Sequence, residues 1–164
     1  LPGSPAWDAI RREFGDGILK PDGSIDRARL GSLVFSNQAA LRRLNELTHP
    51  QIVEIVRQRI RAAAENGEAP PAVVVDAAVL LEAGWDRYCD HLVCIQAPPE
   101  LRQARVEPRG WDRRAWADRE KSQISLDSKA SRCEYTIDNS SSLSHLREQV
   151  HRILHQITRH TGNT

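Results

Sequence analysis

The sequence predicts an α/β fold, a three-layer sandwich in which helices cover a parallel sheet. Residues 72–76 (AVVVD) and 91–95 (HLVCI) are continuous apolar runs with β-branched side chains, which is typical of parallel strands buried on both faces. Each run is followed by a segment with helical character, which indicates βα units. A chain of 164 residues is long enough to bury one core, so we predict a single domain over 1–164.

The first half of the chain predicts helices. Ser4 followed by Pro5 is typical of a helix start, because serine caps the first turn and proline fits its first position. Gly15 ends this helix. Pro50 predicts the start of a new helix, since proline disrupts a helix interior but is tolerated in a first turn. The predicted helices are 5–14, one from about Asp26, one over 41–47 and one from Pro50 to Asn66.

The second half adds helices and one more strand. Pro98-Pro99-Glu100 and Asp112 mark two helix starts, and residues 135–137 predict a third short strand. An apolar stripe between Leu143 and Ile157 predicts the last helix. Three short strands are too few to cover the faces of so many helices, so we expect further strands before Leu1.

Composition argues against several classes of protein. The chain has 23 Lys and Arg against 22 Asp and Glu, so its charge gives no reason to expect nucleic acid or a membrane surface as a partner. We find no apolar run of membrane-spanning length and no signal-peptide pattern, and we expect a cytoplasmic protein. We also expect a monomer. Cys89, Cys94 and Cys133 lack zinc-binding spacing and predict reduced structural thiols, with no metal site.

Six segments, in one order and at one spacing, resemble motifs of the bacterial dephospho-CoA kinases. Residues 123–129 (QISLDSK) resemble the family's Q-x-P-L-x-x-K, and residues 133–140 (CEYTIDNS) resemble its A-D-x-V-I-D-N-S. Ala78 and Ser125 stand where the family usually has proline. The four earlier segments are PGSPAWDAIRREFG, DGSIDRARLGSLVFSN, LNELTHPQI and VVVDAAVLLEAGW.

The resemblance implies a fold and a reaction. The fold is that of a P-loop kinase of the nucleoside-monophosphate-kinase type. The reaction is phosphorylation of the ribose 3′-hydroxyl of dephospho-coenzyme A by ATP with Mg²⁺, the last step of coenzyme A biosynthesis. The resemblance also implies that about residues 16–68 form a helical insertion that binds the acceptor, and that about residues 105–132 form a lid.

The family's phosphate-binding motif, G-x-x-x-x-G-K-[ST], is not present in the sequence. None of the nine glycines is followed by lysine. We therefore expect the P-loop before Leu1, and we expect the 164 residues alone to be inactive. The alternative is a non-catalytic remnant, or a CoA- or nucleotide-binding module of the same fold.

The resemblance implies two catalytic cations in the lid. The segment 105–132 has eight Lys and Arg against five acids, which by itself is typical of a solvated helix face. The family's pattern makes Arg109 and Lys129 the candidates that stabilise the transferring phosphoryl group. The chain is one residue shorter than that pattern between Val106 and Glu107. Either a residue was lost there, which would rotate Arg109 by about 100° around a continuing helix, or a methionine is missing from the sequence as determined.

Other residues match the family's substrate-binding positions. Three of them also have structural explanations: His49 as a capping or packing residue, Asp76 as the cap of the next turn, and Asn139 as part of an Asx turn before the last helix. The resemblance implies dephospho-CoA binding by His49, Asp76, Leu80, Leu81 and Glu82, and nucleotide binding by Arg105 and Asn139.

Overall fold

The computed structural model describes residues 2–65, 70 and 72–160. The chain divides into two compact units, Leu1–Asn66 and Gly67–Thr164. The first unit contains most of the predicted insertion together with the helix before it. The second unit contains the predicted lid and the sheet.

The first unit is helical. Its core consists of the buried side chains of Ile10, Ile18, Leu30 and Val34. Val34 is only 1% exposed and marks the centre of this core. The helices are α1 (Pro5–Phe14), α2 (Arg27–Phe35) and α3 (Gln38–Glu65), with a 3-10 turn at Asp16–Ile18.

The predicted starts of α1 and α2 are confirmed by their caps. Ser4 Oγ accepts a hydrogen bond from the backbone N–H of Trp7 at 3.3 Å. Asp26 Oδ1 accepts from the N–H of Ala28 at 3.0 Å, so it satisfies a donor that the first turn leaves free. Gly15 ends α1 with a φ of 77°, a conformation that L side chains adopt at a cost.

Pro50 lies inside α3, so the prediction of two separate helices was wrong. A proline within a helix lacks the N–H that would reach a carbonyl in the preceding turn. Side chains next to Pro50 supply other donors to carbonyls of that region. Thr48 Oγ1 donates to Leu44 O at 2.8 Å, and Gln51 Nε2 donates to Leu47 O at 3.4 Å. The helix continues through Pro50 over its 28 residues.

The second unit contains a two-stranded parallel sheet, which confirms the predicted class of fold. Val93 pairs with Tyr135 at one end of the ladder, and Gln96 pairs with Asp138 at the other. The strands are β1 (Val93–Gln96) and β2 (Tyr135–Asp138). The helices are α4 (Pro99–Val106), α5 (Arg113–Lys121), α6 (Leu126–Ala130) and α7 (Leu143–His160), with 3-10 turns at Asp86–Tyr88 and Glu107–Arg109.

Residues 72–76 form no strand, so this part of the sequence prediction was wrong. Residues 72–77 have no regular secondary structure. A strand is stabilised by hydrogen bonds to a neighbour, and within the part of the chain that the structure describes no strand pairs with this segment. Val73 and Val74 are accordingly 47% and 84% exposed. The segment leads into a compact turn over residues 78–84.

The last helix, α7, begins at Leu143, the first residue of the predicted apolar stripe. Ser142 Oγ accepts from the N–H of His145 at 3.2 Å. Leu146 and Ile153 of the predicted stripe are half-buried, whereas Leu143 is 61% exposed. In the described parts of the chain no helix combines the length and the apolar character needed to cross a membrane.

Candidate active site

The carboxyl ends of the parallel strands form the first part of the candidate site, because α/β folds bind ligands at this edge. The N–H of Asn139, just after β2, donates to Gln96 O at the end of β1 at 2.8 Å. Arg105 Nη1 donates to the backbone O of Asn139 at 2.9 Å. The structure therefore brings together Arg105 and Asn139, which were predicted separately as nucleotide-binding residues.

The Asx turn before α7 is made by Asp138 rather than by Asn139. Asp138 Oδ1 accepts from the N–H of Ser140 at 2.8 Å. Hydrogen bonds from Ser140 lower the pKa of the Asp138 carboxyl, so it is ionised at neutral pH. Gln149 of α7 braces the same loop, since its amide bonds both the N–H of Asp138 at 2.9 Å and its carbonyl at 2.8 Å. No sequence motif pointed to Gln149.

The turn over residues 78–84, predicted to line the acceptor site, is internally hydrogen-bonded and anchored. The N–H of Ala83 donates to Val79 O at 2.9 Å, and the N–H of Trp85 donates to Leu80 O at 2.9 Å. Leu81 and Trp85 are buried, and Leu80 is half-buried. The buried side chains fix the turn to the second unit, so its backbone has a defined shape.

Asp76, predicted for the acceptor site at the end of a buried strand, lies in the irregular segment before this turn. Asp76 is an exposed residue. Because residues 72–76 form no strand, Asp76 does not lie at the end of one. Its match to the family's position is unaffected.

Lys129 lies at the centre of a cluster that joins the turn to the segment before α6. Its Nζ donates to Ala78 O at 2.7 Å and to Gln123 Oε1 at 2.7 Å, and it pairs with Glu82 Oε1 at 2.9 Å. Glu82 Oε1 also accepts from the N–H of Ile124 at 3.1 Å. The Lys129 and Glu82 side chains are 14% and 17% exposed, so water screens the pair little.

Arg109, the other predicted catalytic cation, is exposed at the end of the 3-10 turn that follows α4. The N–H of Glu107 donates to Gln103 O, so the backbone continues from Val106 in helical register before this turn. Gly110 then adopts a left-handed φ of 77° and ends the turn. Within the part of the chain that the structure describes, Arg109 has no hydrogen bond or ion pair, in contrast to Lys129.

Other basic residues of the predicted lid contact an aromatic ring or a carboxylate of the protein. Arg119 stacks on the Trp111 ring, with its Cζ 3.9 Å from the ring centroid, and burial lowers the pKa of its guanidinium. It keeps its charge, since the pKa of arginine is above about 12. Arg132 Nη2 pairs with Asp86 Oδ2 at 2.8 Å and gives a second link to the region of the 78–84 turn.

Arg102 is a structural residue that the sequence did not reveal. Its guanidinium pairs with Glu120 of α5 and lies over the Trp116 ring, 6.0 Å from the centroid. Its Nε also donates to Ala97 O, at 3.1 Å. The residue therefore connects α4 to α5, which lies in the predicted lid. Only its contacts with Glu120, Trp116 and Ala97 indicate this role.

His49 belongs to the first unit, where it lies in α3 just before Pro50. It is half-buried, and desolvation lowers the pKa of its imidazole. His49 is therefore neutral at neutral pH and would contact a ligand as a hydrogen-bonding group rather than as a cation.

The three cysteines are free, as the sequence predicted. Burial raises the pKa of Cys89, Cys94 and Cys133, so all three are thiols at neutral pH. Across the described ranges no group of three His, Cys, Asp or Glu side chains could hold a metal ion.

Known proteins resemble this chain in sequence. The family model "Dephospho-CoA kinase" matches residues 1–145. The chain is 38% identical over 151 residues to the dephospho-CoA kinase of Symbiobacterium thermophilum, covering 92% of this chain but only 62% of that protein. It is 40% identical to the dephospho-CoA kinase of Leifsonia xyli, covering 91% of this chain and 75% of that protein.

Two solved structures have a similar fold. TT1252 from Thermus thermophilus superposes with a TM-score of 0.67 at 25% identity, covering 92% of this chain and 80% of that one. Dephospho-CoA kinase from Campylobacter jejuni superposes with a TM-score of 0.58 at 26% identity, covering 94% of this chain and 76% of that one. With the match of the family model over residues 1–145, these likenesses confirm the α/β fold expected of a P-loop kinase, and the chain belongs to the dephospho-CoA kinase family.

Proposed function

We propose that the protein transfers the γ-phosphoryl group of ATP to the ribose 3′-hydroxyl of dephospho-coenzyme A. Membership of the family, through a match over residues 1–145, is the observation that carries this proposal. Relatives from several bacteria, at 30–40% identity, are named for this activity. The chain spans 62–78% of the length of these relatives, so the activity is proposed for the protein and not read from this chain alone.

The second unit would supply the lid cation and the nucleotide contacts. Phosphoryl transfer depends mainly on positioning and on neutralising the charge of the transferring group. Arg109 is the cation that we propose for this role, because it is exposed and has no partner within the described structure. Arg105 and Asn139 would hold the nucleotide, and their direct hydrogen bond supports a shared site.

The 78–84 turn of the second unit would contact the acceptor. Leu80 presents apolar surface on a turn that is anchored by the buried Leu81 and fixed by hydrogen bonds, which suits a large cofactor-like acceptor. Asp76 precedes this turn, and Glu82 is part of it. Within the first unit, His49 matches a substrate-contact position of the family in the insertion at about residues 16–68, and its lowered pKa makes it a neutral hydrogen-bonding group.

Mg²⁺ would enter with ATP as part of the nucleotide substrate. This ion prefers octahedral oxygen coordination, and in kinases it takes much of that from phosphate oxygens and water. We further propose a monomer that acts in the cytoplasm, where free thiols such as the three cysteines stay reduced.

Dephospho-CoA-dependent formation of ADP tests the proposed function. We would express the polypeptide encoded by the complete reading frame, called the full polypeptide below, and measure ADP with ATP, Mg²⁺ and dephospho-CoA. Phosphorus NMR of the product should show a new 3′-phosphate. Coenzyme A itself is the matched control, because its 3′-hydroxyl is already phosphorylated and it should give no ADP.

The rival function is a binding module without catalysis. It predicts that the full polypeptide binds dephospho-CoA in calorimetry but forms no ADP above the coenzyme A control. The similarity to named kinases over more than nine-tenths of the chain favours the enzyme.

A further inference from the structure

The ammonium group of Lys129 has three oxygen partners. They are a backbone carbonyl of the 78–84 turn (Ala78 O, 2.7 Å), the side-chain amide of Gln123 (2.7 Å) and the carboxylate of Glu82 (2.9 Å). A protonated lysine has three N–H donors and no acceptor. Two of these donors are used in hydrogen bonds within the protein, and the charge of the ammonium is paired with Glu82 rather than with a phosphate.

The contacts of Lys129 reach across the chain. Ala78 is 51 residues away from Lys129, and Ile124, which donates to the same Glu82 oxygen, is 42 residues from Glu82. One ammonium and one carboxylate thus hold the turn against the segment that leads into α6. Both side chains are less than one-fifth exposed, so the pair is not a mobile surface ion pair.

We propose that Lys129 is a positioning residue for the acceptor substrate and acts through Glu82 and the 78–84 turn. Its ammonium holds the turn in the conformation that buries Leu81 and presents Leu80 to dephospho-CoA. The inference deepens the proposed function and rests on it. It gives Lys129 a role different from that of Arg109, which keeps its donors free for the transferring group.

Hydrogen exchange of the full polypeptide tests the cluster itself. Amide exchange at Ile124 and at Ala83 would be followed by NMR in the wild type, Lys129→Met and Glu82→Gln. We expect at least about tenfold faster exchange at Ile124 in both variants, because Lys129→Met releases the Glu82 carboxylate from its ion pair and Glu82→Gln replaces it with a weaker, uncharged acceptor. Lys121→Met is the control, since Lys121 is an exposed lysine on α5 and should leave both amides unchanged.

Steady-state kinetics of the same proteins test the positioning role. We expect Lys129→Met and Glu82→Gln each to raise the KM for dephospho-CoA about tenfold, with the KM for ATP unchanged and kcat within about threefold. The double variant should be no worse than either single one, because both substitutions break the same cluster. Lys129→Arg, which keeps the charge, should recover part of the affinity.

The other outcomes would overturn either this inference or the proposed function on which it rests. A large fall in kcat with an unchanged acceptor KM would make Lys129 a transition-state cation. Unchanged exchange at Ile124, or altered exchange with an unchanged KM, would remove the positioning role. Absence of turnover in the wild type would refute the proposed function instead, and the acceptor Kd from calorimetry would then replace KM. If the wild type does not bind dephospho-CoA at all, both proposals fail.

Discussion

Replacing Arg109 with alanine separates a catalytic arginine from a surface one. Arg109 is exposed, and within the described structure no other residue binds it. The turn that carries it is held by its backbone, through the bond from the N–H of Gly110 to Glu107 O at 2.9 Å. Loss of the side chain should therefore lower the free energy of unfolding by no more than about 0.5 kcal/mol.

The expected effect on catalysis is much larger. A cation that meets the transferring phosphoryl group acts mainly in the transition state, and removing such a group typically lowers kcat about 100-fold or more. This factor corresponds to about 2.7 kcal/mol of activation free energy, several times the expected loss of stability. Because the two effects differ in size, a change in folding cannot imitate a change in catalysis.

The assay is ADP formation by the full polypeptide at saturating ATP and dephospho-CoA, with urea unfolding measured on the same samples. Arg152→Ala is the matched control, because Arg152 is an exposed arginine of α7 with no partner in the described structure. The control should change neither quantity. Turnover of Arg109→Ala within threefold of the wild type would refute the reasoning and assign Arg109 to the solvated face of the lid.

Three further predictions concern the chain and its titrating groups. The 164-residue chain alone should form no ADP, because none of its glycines is followed by the lysine of a phosphate-binding loop; measurable turnover would contradict this. Iodoacetamide should alkylate Cys94 and Cys133 more slowly at about pH 8 than an unfolded control, since burial raises the pKa of both thiols; equal rates would show accessible thiolates. Burial lowers the pKa of His49 from 6.5, so the unfolded state binds this proton more tightly and stability falls as pH drops below that value. His49→Gln should flatten this loss in urea unfolding between about pH 5 and 7, and an unchanged slope would exclude the histidine as its cause.

Helix starts could be predicted from the sequence because they depend on neighbouring residues. The caps of Ser4, Asp26 and Asp112 bond backbone donors two or three residues away. The strands β1 and β2 were also predicted within two residues of their observed ends, since apolar β-branched residues mark them. In these cases local chemistry and the tertiary structure agree.

The two errors in the predicted fold have a common physical cause. The run at 72–76 has the composition of a strand, but a strand also needs a partner, and residues 72–77 have none in the described structure. Pro50 has the local chemistry of a helix start, but the helical segments on both sides of it continue across it. Propensity describes a residue's own preference for helix, strand or turn. In both places the surrounding structure, rather than this preference, determined the outcome.

The candidate site was predicted by residue identity rather than by contact. Resemblance to a family indicated Lys129, Glu82 and Arg105 as site residues but could not indicate which of them bind each other. The contact from Lys129 to Ala78 spans 51 residues and the contact from Arg105 to Asn139 spans 34, and no spacing rule reaches so far. Gln149 lies outside any motif and could be found only from the structure.

The basic residues of the predicted lid fall into two groups once their partners are known. Lys129, Arg119 and Arg132 are bound by oxygens or by an aromatic ring of the protein, so their charge is already compensated or their donors are already used. A cation that stabilises the transferring phosphoryl group must have donors free when the substrates are bound. Arg109 meets this condition, whereas Lys129 has two donors in hydrogen bonds and its charge paired with Glu82. Sequence similarity assigned the same role to both residues. The side chain of Arg109, unbonded within the described structure, favours catalysis, and the contacts of Lys129 favour positioning of the acceptor.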